Sequence, residues 1–225
     1  MALPGGGQSV KLEAVTTATL EPPAPRAPQQ AEQDTHLTLA RLLDLPEVRA
    51  RVVPLSVEAY EALAEVGHVG HKVELIRGVI LEKMPKSPLH CRLTKRTYDS
   101  LSRHLATGFI VFQERPLRLV VSMPEPDVMI VRGQESDFDH AHPTTAELVI
   151  EVAVSSAALD RATASLYAEA GVAEYWIVLG SEHQVEVYRQ PANGMYQQKR
   201  LYAVGETVAC ESVPGLQVAL ADWFP

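Results

Sequence analysis

The 225-residue chain is long enough for one domain with a substantial core and an appended segment. Its 46% hydrophobic and 21% charged residues are typical of soluble proteins, and no apolar run reaches the roughly 18 residues that span a bilayer. The net charge of −8 argues against a generic basic nucleic-acid binder, although a local basic groove or a cleft with a bound cation is compatible with it. Cys91 and Cys210 form no disulfide or metal-ligand pattern, which favours free thiols in a reducing cytoplasm.

The chain divides by composition into three parts. Residues 1–35 are rich in Pro, Ala and Gln and have few large apolar residues, so we expect a disordered tail. Residues 36–53 favour a short helical extension that is interrupted by Pro46. Residues 54–225 are predicted to form the folded domain.

The first elements of that domain carry clear start and stop signals. Ser56 is a predicted N-cap of a helix that stops at Gly67. Arg77-Gly78 separates two alternating stretches, as in a β-hairpin. A helix with one buried face follows in "SPLHCRLTKRTYDSLSRHLATG", and Gly108 is its predicted stop.

The second half alternates between strands and a helix. The predicted strands are "FIVFQERPLRLVV", "PDVMIV", "AELVIEVAV" and "EYWIVL", with the helix "AALDRATASLYAEAGV" before the last of them. An added β-hairpin turns at Asn193-Gly194. The order β-β-β-α-β predicts an α/β (α+β) fold with a mixed central sheet flanked by helices.

Two acidic residues occupy unexpected places in the predicted sheet. Glu151 lies in the middle of an apolar strand, where an isolated carboxylate costs several kcal/mol unless it is paired, protonated or bound to a metal. Asp127 opens the preceding strand. If the two strands are neighbours, the two carboxylates converge, and a divalent cation with oxygen ligands relieves their repulsion. We therefore expect Asp127 and Glu151 to bind Mg²⁺, or Mn²⁺ in its place.

The spacing of these segments resembles a known family. "PEPDVMIV", "AELVIEVAVSS", "LYAEAGVAEYWIVL" and "VELIRGVILEKMPKSPLHCRL" are similar to the motifs of the putative restriction endonuclease family of the Uma type, a branch of the PD-(D/E)xK nucleases. The resemblance covers roughly Ser56 to Trp223. It implies an αβββαβ nuclease core, magnesium-dependent hydrolysis of DNA, and carboxylate roles for Glu74, Asp127 and Glu151.

The lysine of the family pattern is absent from this chain. Ala153 stands where the superfamily has a lysine two residues after the strand glutamate, and "DRATASLY" lacks the helix lysine of the Uma-type branch. Arg161 is a poor substitute, because a guanidinium differs from an ammonium in shape and stays protonated. Lys83, Lys86 and Arg115 are other cations that could reach the acids.

Each site residue also has a structural alternative. Glu151 could pair with a buried arginine such as Arg118, and Asp127 could be an ordinary Pro-Asp turn entry. Glu74 could face solvent, and His90 could cap or pack the helix that it begins.

The sequence therefore supports three functional hypotheses. The first is a slow Mg²⁺-dependent endodeoxyribonuclease in the cytoplasm, acting as a homodimer on DNA, with Glu74, Asp127 and Glu151 as catalytic residues. The second is a relative that has lost catalysis and serves as a DNA-binding or protein-interaction module. The third is a metal-dependent hydrolase of small molecules.

Overall fold

The computed structural model describes residues 39–70 and 72–224. The predicted tail, residues 1–35, lies outside the described residues. The chain divides into two units, Met1–Val52 and Val53–Pro225. In the first unit, two short helices are described, α1 (Leu39–Asp44) and α2 (Pro46–Arg49). Pro46 begins α2, so the proline lies between the two short helices.

The second unit contains three further α-helices and ten strands. They are, in chain order, α3 (Val57–Glu65), β1 (Val73–Ile76), β2 (Val79–Glu82), α4 (Pro88–His104), β3 (Phe109–Gln113), β4 (Val128–Arg132), β5 (Leu148–Ala153), α5 (Ala157–Glu169), β6 (Glu174–Leu179), β7 (Gln184–Ala192), β8 (Met195–Ala203), β9 (Thr207–Ala209) and β10 (Gln217–Ala219). The stretch from α4 to β6 has the predicted αβββαβ order.

The central sheet has six strands in the order β3-β4-β5-β6-β7-β8. Only β5 and β6 pair in parallel among these strands, and α5 connects them; the other neighbours are antiparallel. The expected mixed sheet is thus confirmed. Strands β7 and β8 form the predicted added hairpin, whose turn residues Asn193 and Gly194 both have positive φ.

Two apolar clusters cover the two faces of this sheet. Successive residues of β5 face opposite sides of the sheet and belong to different clusters. Ile150 belongs to the cluster that contains Leu93 and Leu101 of α4. Val149 belongs to the cluster that contains Leu166 of α5. The sheet is therefore covered by α4 on one face and by α5 on the other, as expected for a sheet that must bury two apolar faces. No described helix is long and apolar enough to cross a membrane.

One predicted strand is much shorter than expected. "FIVFQERPLRLVV" forms a strand only as far as Gln113, because Glu114 has a φ of 52° and Pro116 removes a ladder donor. The chain then folds back on itself, and the Leu117 amide donates to the Pro124 carbonyl at 2.8 Å. This segment pairs with the β1–β2 hairpin, since the Met123 amide donates to the Leu75 carbonyl at 2.7 Å.

Candidate active site

A cavity of about 470 Å³ lies where the β1–β2 hairpin, the start of α4, the end of β5 and the start of α5 meet. Six acidic residues line it: Glu74, Glu82, Glu125, Asp127, Glu151 and Asp160. We call it the acid cavity. The three acids predicted from the sequence therefore lie in one cavity, together with three that were not predicted. A larger cavity of about 580 Å³ lies along β3, but Glu135 is the one acid that lines it.

Asp127 directly precedes β4 and is 7% exposed. Its Oδ2 accepts from the Val152 amide at 2.9 Å and lies 3.0 Å from His90 Nε2. Lys86 Nζ donates to its Oδ1 at 3.1 Å. Burial raises the pKa of the Asp127 carboxyl, but the hydrogen bond and charge of His90 and the charge of Lys86 outweigh burial and hold this pKa below its ordinary value. Asp127 is therefore ionised at neutral pH.

Glu151 lies on β5, next to the start of β4, and its two oxygens have different partners. Tyr167 of α5 donates its hydroxyl to Oε1 at 2.8 Å, and the Asp127 amide donates to Oε2 at 3.2 Å. Burial raises the pKa of the Glu151 carboxyl well above its ordinary value, and the charges of Asp127 and Asp160 raise it further. A nearby cation would oppose these effects and favour the ionised form of Glu151.

Glu74 reaches the acid cavity from β1. Its Oε2 accepts from the Glu125 amide at 3.3 Å, an arrangement that follows from the pairing of β1 with the segment around Met123. Burial raises the pKa of the Glu74 carboxyl, whereas the Glu125 amide and Lys83 oppose this rise. Glu74 is thus part of the cavity wall, contrary to the solvent-facing alternative.

Asp160 is a cavity acid that the sequence reasoning missed as a site residue. It lies in the first turn of α5, and Ser156 donates its hydroxyl to Oδ2 at 2.6 Å. Burial raises the pKa of Asp160 to about 6, with a further contribution from the charge of Asp127. The sequence signal for Asp160 as a site residue was its position in the first turn of the helix that follows the strand of Glu151.

The cations considered as replacements for the missing lysine have different positions. Lys86 contacts Asp127, whereas Lys83 Nζ donates to Glu125 Oε2 at 2.7 Å. Arg161 pairs with Glu186 at 2.8 Å, and Arg115 pairs with Glu135 at 3.2 Å. Neither arginine lines the acid cavity. Ala153, at the position of the superfamily lysine, is buried in the α5-side core.

The structural alternatives for Glu151 and His90 are also resolved by the contacts. Arg118 pairs with Glu58 and Glu61, each at 2.8 Å, so it is not the partner of Glu151. The His90 amide donates to Oγ of the N-cap Ser87 at 3.2 Å, which fixes the first turn of α4. This turn directs the His90 imidazole towards Asp127 and into the cavity.

The donor atoms suit a hard divalent cation. Within residues 39–70 and 72–224, no group of three or more His, Cys, Asp and Glu side chains could hold a metal ion. Mg²⁺ commonly uses only one or two carboxylates together with waters and substrate phosphate, and Asp127 and Glu151 provide oxygen donors of this kind. Asp127 is buried and Glu74, Glu151 and Asp160 are half-buried in the same cavity, and the repulsion between such acids is relieved when a cation enters.

The strand order and the two flanking helices are those of the restriction-endonuclease-like fold. The family model described as "Uma2: Putative restriction endonuclease" matches residues 57–221. The chain belongs to this family.

A solved structure has the same fold at low sequence identity. It is described as a "putative nuclease belonging to DUF820 from Anabaena variabilis ATCC 29413", and the two chains are 16% identical. The match has a TM-score of 0.62 and covers 76% of this chain and 98% of the other. No curated protein matches the chain.

Proposed function

We propose that this protein is a divalent-cation-dependent endodeoxyribonuclease that hydrolyses DNA phosphodiester bonds in the acid cavity. The observation that carries the proposal is the interlocking of Asp127 and Glu151. Each residue accepts a backbone hydrogen bond from the other's strand, so Asp127 receives the Val152 amide and Glu151 receives the Asp127 amide. These two hydrogen bonds hold both side chains at the junction of β4 and β5, which supports the proposal that they share one cation.

Asp127 and Glu151 would hold the cation, which is Mg²⁺ or Mn²⁺. Such a cation stabilises charge on a phosphoryl oxygen and promotes attack by water. Tyr167 orients Glu151 through its hydroxyl. Glu74, held by the Glu125 amide at the cavity wall, would orient the attacking water or add a ligand.

The experiment is cleavage of supercoiled plasmid with Mg²⁺ or Mn²⁺ by the wild type and by Glu151→Gln. We expect the variant to cleave at least about 100-fold more slowly, as when an electrostatic group of an active site is removed. Glu147→Gln is the matched control, because Glu147 directly precedes β5 but pairs with the surface residue Arg132 at 2.9 Å. Equal cleavage by Glu151→Gln and the wild type would contradict the proposal.

A second candidate is a DNA-binding or interaction module that has lost catalysis. The apolar Ala153 at the position of the superfamily lysine favours it. This candidate predicts that the wild type retards a DNA duplex in a gel and binds Mn²⁺ without cutting. Cleavage that is abolished by Glu151→Gln would exclude it.

An endonuclease with one acid cavity per chain needs two copies to cut both strands of a duplex at one place. We therefore expect a two-fold homodimer on DNA, acting in the cytoplasm. Sedimentation with and without a short duplex would measure the change in mass.

A further inference from the structure

Lys86 is the lysine that contacts a proposed metal ligand, next to His90, whose Nε2 lies 3.0 Å from the same carboxylate. It belongs to the short segment that joins β2 to α4, directly before the N-cap Ser87. Its Nζ lies 3.1 Å from Asp127 Oδ1 and 3.0 Å from Glu114 Oε1. The Lys86 side chain is 26% exposed, so its ammonium stands between the acid cavity and solvent.

Lys83 provides an internal comparison, because it lines the same cavity three residues earlier. Its Nζ is held by the side chain of Glu125 at 2.7 Å and by the Glu125 carbonyl at 3.3 Å. Within the described residues, Lys83 makes no hydrogen bond or ion pair with Asp127 or Glu151. Lys83 thus has a partner of its own at the cavity wall, whereas Lys86 neutralises a carboxylate that the proposed function assigns to a cation.

The position of Lys86 has two chemical consequences. An ammonium on Asp127 competes with a divalent cation for the same carboxylate, since two positive charges that share one acid repel each other. A lysine that leaves Asp127 stays tethered nearby through Glu114, on the flexible stem of a long side chain. Its freed N–H donors are then available to a phosphate in the acid cavity, which Lys86 lines.

We propose that Lys86 is an exchangeable cation of this site. It neutralises Asp127 in the metal-free protein, leaves that carboxylate when a divalent cation is bound, and donates to the phosphate that is being cleaved. The inference rests on the proposed nuclease function. Strand β5 and helix α5 have no lysine. The inference assigns the role of that lysine to Lys86, on the segment before α4.

The test compares Lys86→Met with the matched control Lys83→Met. Methionine keeps an unbranched side chain of similar length but removes the charge. Titration calorimetry with Mn²⁺, without DNA, measures the first half of the inference. We expect Lys86→Met to bind Mn²⁺ at least about tenfold more tightly than the wild type because a competing charge is removed. Lys83→Met should have the smaller effect of the two, because Lys83 is held by Glu125 and not by Asp127.

Plasmid cleavage at saturating Mn²⁺ measures the second half. We expect Lys86→Met to cleave about 100-fold more slowly than the wild type although it binds the cation more tightly, and Lys86→Arg to recover part of the rate because its charge can still reach a phosphate. Tighter Mn²⁺ binding together with slower DNA cleavage is not expected when the replaced residue only supports the fold. Urea unfolding of each variant verifies that the domain is intact.

Unchanged Mn²⁺ affinity in Lys86→Met would overturn the competition, and unchanged cleavage would overturn the role at the phosphate. In both cases the wild type still binds Mn²⁺ and cuts DNA. Either result would therefore contradict the role of Lys86 but not the proposed nuclease function. A wild type that neither binds Mn²⁺ nor cuts would overturn the proposed function together with this inference.

Discussion

The Tyr167 hydroxyl lies 2.8 Å from Glu151 Oε1 and links helix α5 to the middle of strand β5. Tyr167 is buried and Glu151 is half-buried, and both side chains line the acid cavity. The hydrogen bond lowers the pKa of Glu151, against the larger effects of burial and of the charges of Asp127 and Asp160 that raise it. Tyr167 therefore adjusts how readily Glu151 becomes a carboxylate.

Replacement of Tyr167 by Phe tests this relationship. Loss of the hydroxyl raises the pKa of Glu151 further, so we expect Mn²⁺ to bind about tenfold more weakly, which corresponds to about 1.4 kcal/mol for one hydrogen bond to a charged group. Titration calorimetry at pH 7 measures the Mn²⁺ affinity of the variant and of the wild type. Tyr196→Phe is the control, since its hydroxyl donates to the Val172 carbonyl at 2.9 Å, outside the acid cavity. Equal weakening in the two variants would show that the effect is not specific to Glu151.

Asp160 should make the stability of the metal-free protein depend on pH. Its pKa is about 6 in the folded protein, against an ordinary value of 3.8. The folded state therefore keeps this proton longer than the unfolded state, and the wild type loses stability as the pH rises from about 4 to about 6. Asp160→Asn lacks that loss, so its stability relative to the wild type should rise over the same interval, by at most about 3 kcal/mol.

Urea unfolding in chelator-treated buffer between pH 3.5 and pH 7.5 measures the change. Ser156→Ala should act in the opposite direction, because the Ser156 hydroxyl lowers the pKa of Asp160 and its removal steepens the loss. Parallel stability curves for Asp160→Asn and the wild type would refute the assignment.

Most of the fold follows from local sequence signals. Ser56 and Ser87 cap α3 and α4, and glycine occupies the second turn position of both predicted hairpins. The one large error came from "ERPLRLVV", whose alternating apolar residues resemble a strand. Its left-handed residue Glu114 cannot be recognised from the sequence, because glutamate has no preference for positive φ.

The site was predictable only where the chain places residues on adjacent strands. Asp127 and Glu151 were expected to converge because sequential strands usually pair, and β4 and β5 do. The contributions of Tyr167 and Asp160 depend on how α5 packs against the sheet, and the position of Lys86 depends on the path of a short loop. Neither kind of packing is encoded in a sequence period. Lys86 was therefore only one of three cations that the sequence suggested, and Tyr167 and Asp160 were not predicted as site residues.

Glu186 provides a test of stability away from the acid cavity. It accepts from Arg161 at 2.8 Å and from Tyr188 at 2.6 Å, and Lys199 lies 3.0 Å away. Burial raises the pKa of this carboxyl, but these partners outweigh burial and lower the pKa to about 2. A depressed pKa stabilises the fold above the ordinary value of 4.5, and this stability is lost as the pH falls towards 2.

Glu186→Gln should therefore lower the free energy of unfolding at pH 7 by about 1–3 kcal/mol and flatten its decline below pH 5. Urea unfolding across this range measures both effects. Glu169→Gln is the comparison, because its pair with Arg77 at 2.8 Å is solvent-exposed and should contribute under about 1 kcal/mol. A wild type and a Glu186→Gln variant with the same acid transition would contradict the prediction.

Gly78 connects the hairpin that carries Glu74 to the body of the domain. Its φ is 78°, and an added Cβ would lie 2.3 Å from Pro54 Cβ and 2.8 Å from Pro54 Cα. The Gly78 carbonyl also accepts from the Leu55 amide at 3.0 Å. A side chain at this position must therefore move backbone as well as adopt a left-handed conformation.

We expect Gly78→Ala to destabilise the domain by more than about 2 kcal/mol, since steric overlap adds to the cost of about 1 kcal/mol for a left-handed alanine. Gly108→Ala isolates the conformational part, because Gly108 has a φ of 89° and no atom within 4 Å of an added Cβ. Movement of the hairpin should also withdraw Glu74 from the acid cavity, so Gly78→Ala should bind Mn²⁺ more weakly than Gly108→Ala. Equal unfolding free energies and equal Mn²⁺ affinities in the two variants would mean that contact with Pro54 does not hold Glu74 in place.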